Sequence, residues 1–462
     1  MNGHFHSKVT SPTVEQQLQA SGVAVVIVVL AQPGAGAGAA KTPGAVTKSV
    51  TRHFMHSEHS HIAALVRSSS LSRGTSLRRP VRPATQLYPN LGIMLGTVDR
   101  DGLAGLQADE HVTAISGTPQ ISLIRPERVA SATLADATTW GIDFLGISAL
   151  WQQGLSGKDV KIGHLDTGAD GTHPALKNAI VGFADFEPAL GRRVTPDPAP
   201  YDSGEHGTHT AATIAGRPVR GRRIGVAYAA SLYSGVVIEG GNLVARVLGG
   251  LDWAVGIGVR IVSLSLGFRG WWQDFIPIVG ILDRLGILPV IAIGNEGPGT
   301  SRSPGNYPTA LSVGAVDSAG MVPNFSSSQT FSRADDPIVP DLVAPGVDVI
   351  SAQPGNRYQS MDGTSMATPH VAGLAALLWE AKPTATAHEI AQAIFASCQL
   401  SKSMTSDRGN RGVPVAAAAL TMLTGVKPPA ATQVAVPGRK RRAASTRRAV
   451  RVTKRTRPSK RT

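Results

Sequence analysis

The chain contains a single cysteine, Cys398, among 462 residues. No disulfide can form within one copy, which excludes a disulfide-stapled scaffold and leaves a reducing cytosol or bacterial export open. Cys398 sits in the apolar stretch "AIFASCQL" with no visible partner, which reads as a small core residue rather than a reactive thiol. Aromatic residues are scarce, at 5 %, so the core has to be built from aliphatic side chains. The 51 glycines supply tight turns and close backbone contacts. The apolar run Val23 to Ala31 is far too short to cross a bilayer. It has the length of a signal-peptide core, yet only Lys8 and Glu15 precede it, so a cationic leader is missing. Its β-branched residues favour a buried strand over a signal, and an intracellular location over secretion.

Acidic residues are also missing from one place. From Lys427 onward there are thirteen Lys or Arg and no Asp or Glu, while the rest holds 32 basic against 31 acidic residues. The net charge of +14 therefore belongs to the tail. That tail has no hydrophobic periodicity and reads as disordered when free. Without interleaved aromatics or a reading motif, it fits nonspecific, salt-sensitive polyanion binding, or an extension with no dedicated partner.

The length allows two or three domains. The expected division is a disordered segment at 1–20, a small domain at 21–130, a larger one at 131–425 and the basic tail at 426–462. Within the small domain the apolar run, a helical stretch from Ala45 to Arg67, a Ser/Arg/Pro-rich loop over 68–85 and the segments "YPNLGIMLGTV", "DRDGLAGLQAD", "HVTAISG" and "QISLIRP" follow one another. The order β-α-β-α-β-β predicts an α+β, ferredoxin-like unit. It holds His53, His56, His59 and His61, a spacing open to a polar helix face, a pH sensor or a metal site. From Thr139 strand-like runs such as "VKIGHLDTG", "VRIVSLSLG" and "ILPVIAIGNEG" alternate with helical ones. This predicts an α/β domain with a mostly parallel twisted sheet and helices on both faces. Functional residues of such sheets gather past the strand C-termini.

Three loops carry chemistry: "GHLDTGADGTHP" with Asp166, "SGEHGTHTAATIAG" with His206 and "GTSMATPH" with Ser365. Singly, they read as a turn cap, a structural histidine and a helix cap. Together, in the order Asp, His, Ser, they resemble the subtilisin-like serine peptidases, the subtilases. Further matches lie in order between them: "GVAYAASLY", "IVSLSLG", "VIAIGNEGPG", "SPGNYPTALSVGAVD" and "VAPGVDVISA". The resemblance covers roughly residues 138–423.

The resemblance implies a serine endopeptidase with Ser365 as nucleophile, His206 as its base and Asp166 orienting the imidazole. Asn295 and the Ser365 N–H would form the oxyanion hole. Ser265, Leu266 and Gly267 would pair with an extended substrate and wall its pocket. The block Gly22 to about Pro126 resembles the family's inhibitory propeptide, implying a zymogen whose propeptide lays its C-terminal strand in the substrate groove until it is cleaved, within the loop-like residues 125–138. The resemblance also implies protein or peptide substrates, a monomer, and no required cofactor. Many relatives carry a calcium loop after the histidine helix. Here "GRPVRGRRIGVA" has four arginines and no carboxylate, so no calcium is expected there, a site elsewhere staying open. A Pro-rich insertion, "GRRVTPDPAPYDSGE", separates Asp166 from His206. The alternative from another class is a catalytically idle module of the same fold, anchored by its tail. The intact Asp166, His206, Ser365 and Asn295 set speaks against it.

Overall fold

The computed structural model describes residues 11–31, 43–55 and 85–426. The basic tail from 427, His56, His59 and His61, the continuation of the Ala45–Arg67 helix and most of the 68–85 loop lie outside the described residues.

The larger unit is built on seven parallel strands. Their spatial order is Leu342–Pro345, Leu311–Val316, Leu288–Ala292, Ile261–Leu264, Lys161–Asp166, Ser231–Val236 and Ile180–Asp185. The inner strands Ile261–Leu264, Leu288–Ala292 and Leu311–Val316 are buried along their whole length because both faces are covered. One face packs against the helices His206–Ala215 and Thr364–Ala381 through small residues such as Ala211, Ala372 and Ala375. The other packs against the helices Leu243–Ile257 and Ile276–Arg284. This is the expected α/β architecture.

The N-terminal unit is a four-stranded antiparallel sheet in the order Gln86–Tyr88, Ile93–Val98, Ala24–Leu30 and Val112–Gly117. Strand period explains why Ala24–Leu30 is nearly all β-branched. Val26 and Val28 face the unit's own helices, while Ile27 and Val29 face outward onto the catalytic-side helices. That outward face is sealed by polar contacts. The Tyr88 hydroxyl donates to the Leu190 carbonyl at 2.9 Å. Asp252, on the helix Leu243–Ile257, accepts from the backbone N–H of Asn90 at 2.7 Å and of Leu91 at 3.1 Å.

Three expectations change here. Residues 12–20 are not disordered: Pro12–Ser21 is an α-helix that buries Val14 and Leu18. Ser11 caps it by accepting from the Thr13 N–H at 3.1 Å, Pro12 occupies the first turn, and Gly22 ends it with φ +75°. Second, "QISLIRP" adds no strand to the N-terminal sheet, contrary to the order β-α-β-α-β-β; it lies along the larger unit, as the resemblance implies for the propeptide's last strand. Its strand, Ser122–Leu123, pairs instead with Leu266–Arg269 of the larger unit. Third, the stretch 125–138 is not all loop. Arg128–Ala132 is a strand, antiparallel to Arg357–Asp362 and in register from Arg128 opposite Asp362 to Ala132 opposite Tyr358.

Candidate active site

The predicted residues arrive from the ends of adjacent strands, where a parallel sheet gathers its loops. Asp166 closes the central strand Lys161–Asp166. Ser265 follows the neighbouring strand Ile261–Leu264, and Asn295 follows the next one, Leu288–Ala292. His206 and Ser365 open the two helices that pack together on one face.

Asp166 and His206 are joined directly, with His206 Nδ1 2.8 Å from Asp166 Oδ1. Asp166 is fully buried and also accepts the Thr167 N–H at 2.7 Å. Burial alone would push its carboxyl up. The charge and hydrogen bond of His206, with the Thr167 amide, hold it below the ordinary carboxylate range. Asp166 thus stays ionised and fixes the ring so that Nε2 is free. His206 Nε2 is buried and has no hydrogen-bond partner among the described residues.

The histidine helix approaches the Asp166 loop very closely. A Cβ on Gly207 would lie 1.9 Å from the Gly168 carbonyl oxygen, so only glycine fits there. The Pro-rich insertion contributes to this placement through Asp202. Its carboxylate accepts from Thr167 Oγ1 at 2.7 Å and from both the N–H and the Oγ1 of Thr208 at 2.6 Å. The loop after Asp166 and the first turn after His206 are therefore tied to one side chain.

Ser365 is the second residue of the helix Thr364–Ala381 and caps nothing. Its hydroxyl donates instead to the Ile124 carbonyl at 2.8 Å. Pro369, further along the same helix, has no N–H for the Ser365 carbonyl. The Ser265 hydroxyl donates to that carbonyl at 3.4 Å. Asn295 is oriented by Thr364, whose N–H and Oγ1–H both donate to Asn295 Oδ1 at 2.9 Å. With its oxygen committed, Asn295 turns its amide outward, and Nδ2 donates to the Arg125 carbonyl at 2.9 Å.

Residues 122–127 thus thread the groove formed by these groups. Leu123 pairs with Leu266, Ser122 with Gly267, and the Ile124 N–H donates to the Ser265 carbonyl at 3.1 Å. On the far side the Glu127 N–H donates to the Asp362 carbonyl at 2.8 Å. All seven predicted residues therefore either join the Asp–His pair or touch this segment.

Sequence reasoning missed two participants. His164, two residues before Asp166 on the same strand face, contacts Thr210 Oγ1 at 2.8 Å and Ser234 Oγ at 3.0 Å. Burial lowers its pKa to about 4, so it is neutral and places no positive charge beside His206. Arg302 is buried beside Gly267 and pairs with Glu296, with Nε 2.9 Å from Oε1, while Nη1 donates to Ser122 Oγ at 2.8 Å. The period-two placement of His164 was a usable signal. Nothing local marked Arg302.

The loop after the histidine helix does not fit calcium. Arg217 donates to the carbonyls of Asn178, at 2.8 Å, and Tyr228, and Arg223 lies over the rings of Trp151 and Tyr228 at 4.8 and 4.7 Å. Cationic donors thus take up carbonyl oxygens there, and no carboxylate is available. Among the described residues no group of three or more His, Cys, Asp or Glu is placed to hold a metal ion. Burial pushes the Cys398 thiol up to about 12.

The ends of a parallel sheet with helices on both faces thus carry a buried Asp–His pair and a serine at a helix start. Comparison with known proteins gives the family. The sequence model of the subtilase family matches residues 157–417, and the chain belongs to that family. It is 38 % identical over 277 residues to the M-protease of Shouchella clausii, covering 60 % of this chain and 68 % of that protein. It is 34 % identical over 285 residues to subtilisin E of Bacillus subtilis, covering 60 % and 70 %. The thermostable alkaline protease of Halalkalibacterium halodurans is 33 % identical over 309 residues, covering 66 % and 78 %. The protein is a serine-type endopeptidase.

Proposed function

We propose that the protein hydrolyses peptide bonds through an acyl-enzyme on Ser365 and is made as a zymogen held off by its own N-terminal unit. The observation that carries this reading is the course of residues 122–127, which lie along Ser265–Gly267 with the Ile124 carbonyl against the Ser365 hydroxyl. In the proposed chemistry His206 Nε2 removes the Ser365 proton as Oγ attacks the peptide carbonyl. Asp166 stabilises the imidazolium that forms. The negative oxygen of the tetrahedral intermediate is met by Asn295 Nδ2 and the Ser365 N–H. His206 then returns the proton to the leaving amine, and water releases the acyl group by the same steps in reverse. No cofactor enters this scheme. The N-terminal unit inhibits by filling the groove and by covering the helices Leu243–Ile257 and Ile276–Arg284 with the outward face of its sheet.

The test is mass spectrometry of the purified chain together with a fluorophosphonate probe. Wild type should lose its N-terminal unit and label at Ser365, while Ser365→Ala should stay whole and unlabelled. Wild type and variant equally whole and equally unlabelled would return the protein to the idle-module reading.

A further inference from the structure

Two peptide bonds compete for the site. The Ile124 carbonyl is held by Ser365, and the Arg125 carbonyl by Asn295. The two groups that must act on one carbonyl are thus on consecutive ones. The seated segment carries one residue more than the site can process without a shift.

We propose that the zymogen is cut between Ile124 and Arg125, and that Pro126 protects the next bond. The proposal rests on the peptidase reading above. Three observations select this bond. Ser365 Oγ already touches the Ile124 carbonyl. The Ile124 side chain is fully buried, as the residue before a cut should be when a pocket positions it, whereas Arg125 is exposed. The nitrogen of the Arg125–Pro126 bond belongs to proline and carries a ring carbon where an ordinary amide carries hydrogen. That carbon crowds the position from which His206 must deliver a proton to the departing nitrogen.

The steps balance on this chain's own groups. Ser365 Oγ–H gives its proton to His206 Nε2 as Oγ bonds to the Ile124 carbonyl carbon. The Ile124 C–N bond then breaks, and the Arg125 nitrogen takes the proton from His206. Water attacks the Ile124–Ser365 ester, passing a proton to His206. The ester C–O bond breaks as Ser365 Oγ takes that proton back from His206, and Ile124 leaves as a carboxylic acid that gives its proton to solvent. Before the first step the Ile124 carbonyl must exchange the Ser365 hydroxyl for the Asn295 amide. That exchange makes self-cutting slow relative to hydrolysis of a segment seated in one register. The buried Ile124 also assigns an aliphatic preference to the position before the cut in other substrates.

The experiment is intact-mass analysis and N-terminal sequencing of the full-length chain after self-processing, with fluorophosphonate labelling in parallel. The expected large fragment begins Arg125-Pro126-Glu127, and the small one ends at Ile124. Ile124→Asp, which places a charge in the pocket, should slow the cut by about tenfold or more, and Arg125→Asp should change it by less than about threefold at an exposed position. Pro126→Ala should add a second N-terminus at residue 126. A labelled chain that is uncut, or cut anywhere else, overturns the assignment and leaves the peptidase reading standing. A chain both whole and unlabelled overturns both. Equal or inverted effects of Ile124→Asp and Arg125→Asp would also overturn it, and Pro126→Ala processed only at Arg125 would remove the protective role of the proline.

Discussion

Asp252 is the side chain whose removal should most cleanly loosen the N-terminal unit without touching the chemistry. Its carboxylate accepts the backbone N–H groups of Asn90 and Leu91 at 2.7 and 3.1 Å and the Asn90 side-chain amide at 3.2 Å. Hydrogen bonds to a charged group contribute roughly 1.5–3 kcal/mol each. They do not all count fully here. Asn90 is exposed, so water replaces the carboxylate at its two donors once Asp252 is gone. Leu91 is fully buried, and its N–H has far less access to water. One full bond of about 2 kcal/mol and a small remainder from Asn90 give about 2–3 kcal/mol for Asp252→Ala. At about 1.4 kcal/mol per decade, that is a roughly 30- to 150-fold weaker grip of the cleaved N-terminal unit. The assay is the activity regained on serial dilution of the self-processed enzyme, fitted for the dissociation constant of the released unit. Asp252→Asn, which keeps an acceptor but loses the charge, should fall between. An inhibition constant within threefold of wild type for Asp252→Ala would refute the argument that these bonds hold the inhibitor in place.

Other perturbations have defined outcomes. Asn295→Ala should lower kcat by about 10²–10³ with little change in KM, a magnitude established on subtilisin itself and carried over to this relative; an unchanged kcat would remove Asn295 from the oxyanion hole. Asp341 is buried, and burial raises its carboxyl to about 7 against the ordinary 3.8, although it accepts the Ser312 N–H at 2.8 Å. The folded chain therefore keeps a proton that the unfolded chain loses, and stability drops as pH rises from about 4 to about 7, by roughly 4 kcal/mol over three units. In an inactivated Ser365→Ala background, Asp341→Asn should raise Tm relative to its parent more at pH 8 than at pH 5, and an equal offset at both would contradict the shift. The Cys398 thiol, with its pKa pushed up to about 12 by burial, should resist alkylation at pH 8 until the chain unfolds. Labelling of the native protein as fast as of free cysteine would show otherwise.

Much of this molecule was legible because its chemistry is carried by short contiguous motifs. Asp166, His206, Ser365 and Asn295 each sit at a strand end, a helix start or the loop beside one, in a short motif whose wording is set by close backbone approach, as Gly207 illustrates. The parallel sheet was legible because mostly aliphatic strand-like runs alternate with helical ones. The misses have physical causes. The helix Pro12–Ser21 was read as disorder from its polarity, although Ser11, Pro12 and Gly22 spell a start and a stop. Only Val14 and Leu18 anchor it, too few to produce a visible stripe. The strand Arg128–Ala132 is largely exposed and has no periodic apolar face. Its pairing partner lies more than two hundred residues away, so nothing nearby in the sequence announces it. The grip of Asp252 on the Asn90–Leu91 turn joins two units through one acidic residue on an amphipathic helix, where acids are ordinarily solvated.

The strand Arg128–Ala132 also bears on how fast the enzyme switches on. While the chain is whole, pairing on both sides of Ser365 tethers the inhibitor to the groove, with Ser122–Leu123 before it and Arg128–Ala132 after it. A short tether gives an effective concentration on the order of millimolar. Once the bond between Ile124 and Arg125 opens, the second strand stays with the enzyme and the inhibitor keeps only its own affinity. Occupancy then depends on how much protein surrounds it. Under the proposed cut, the same event would be silent at high protein concentration and would release activity on dilution, so the proposed lock would also gauge concentration.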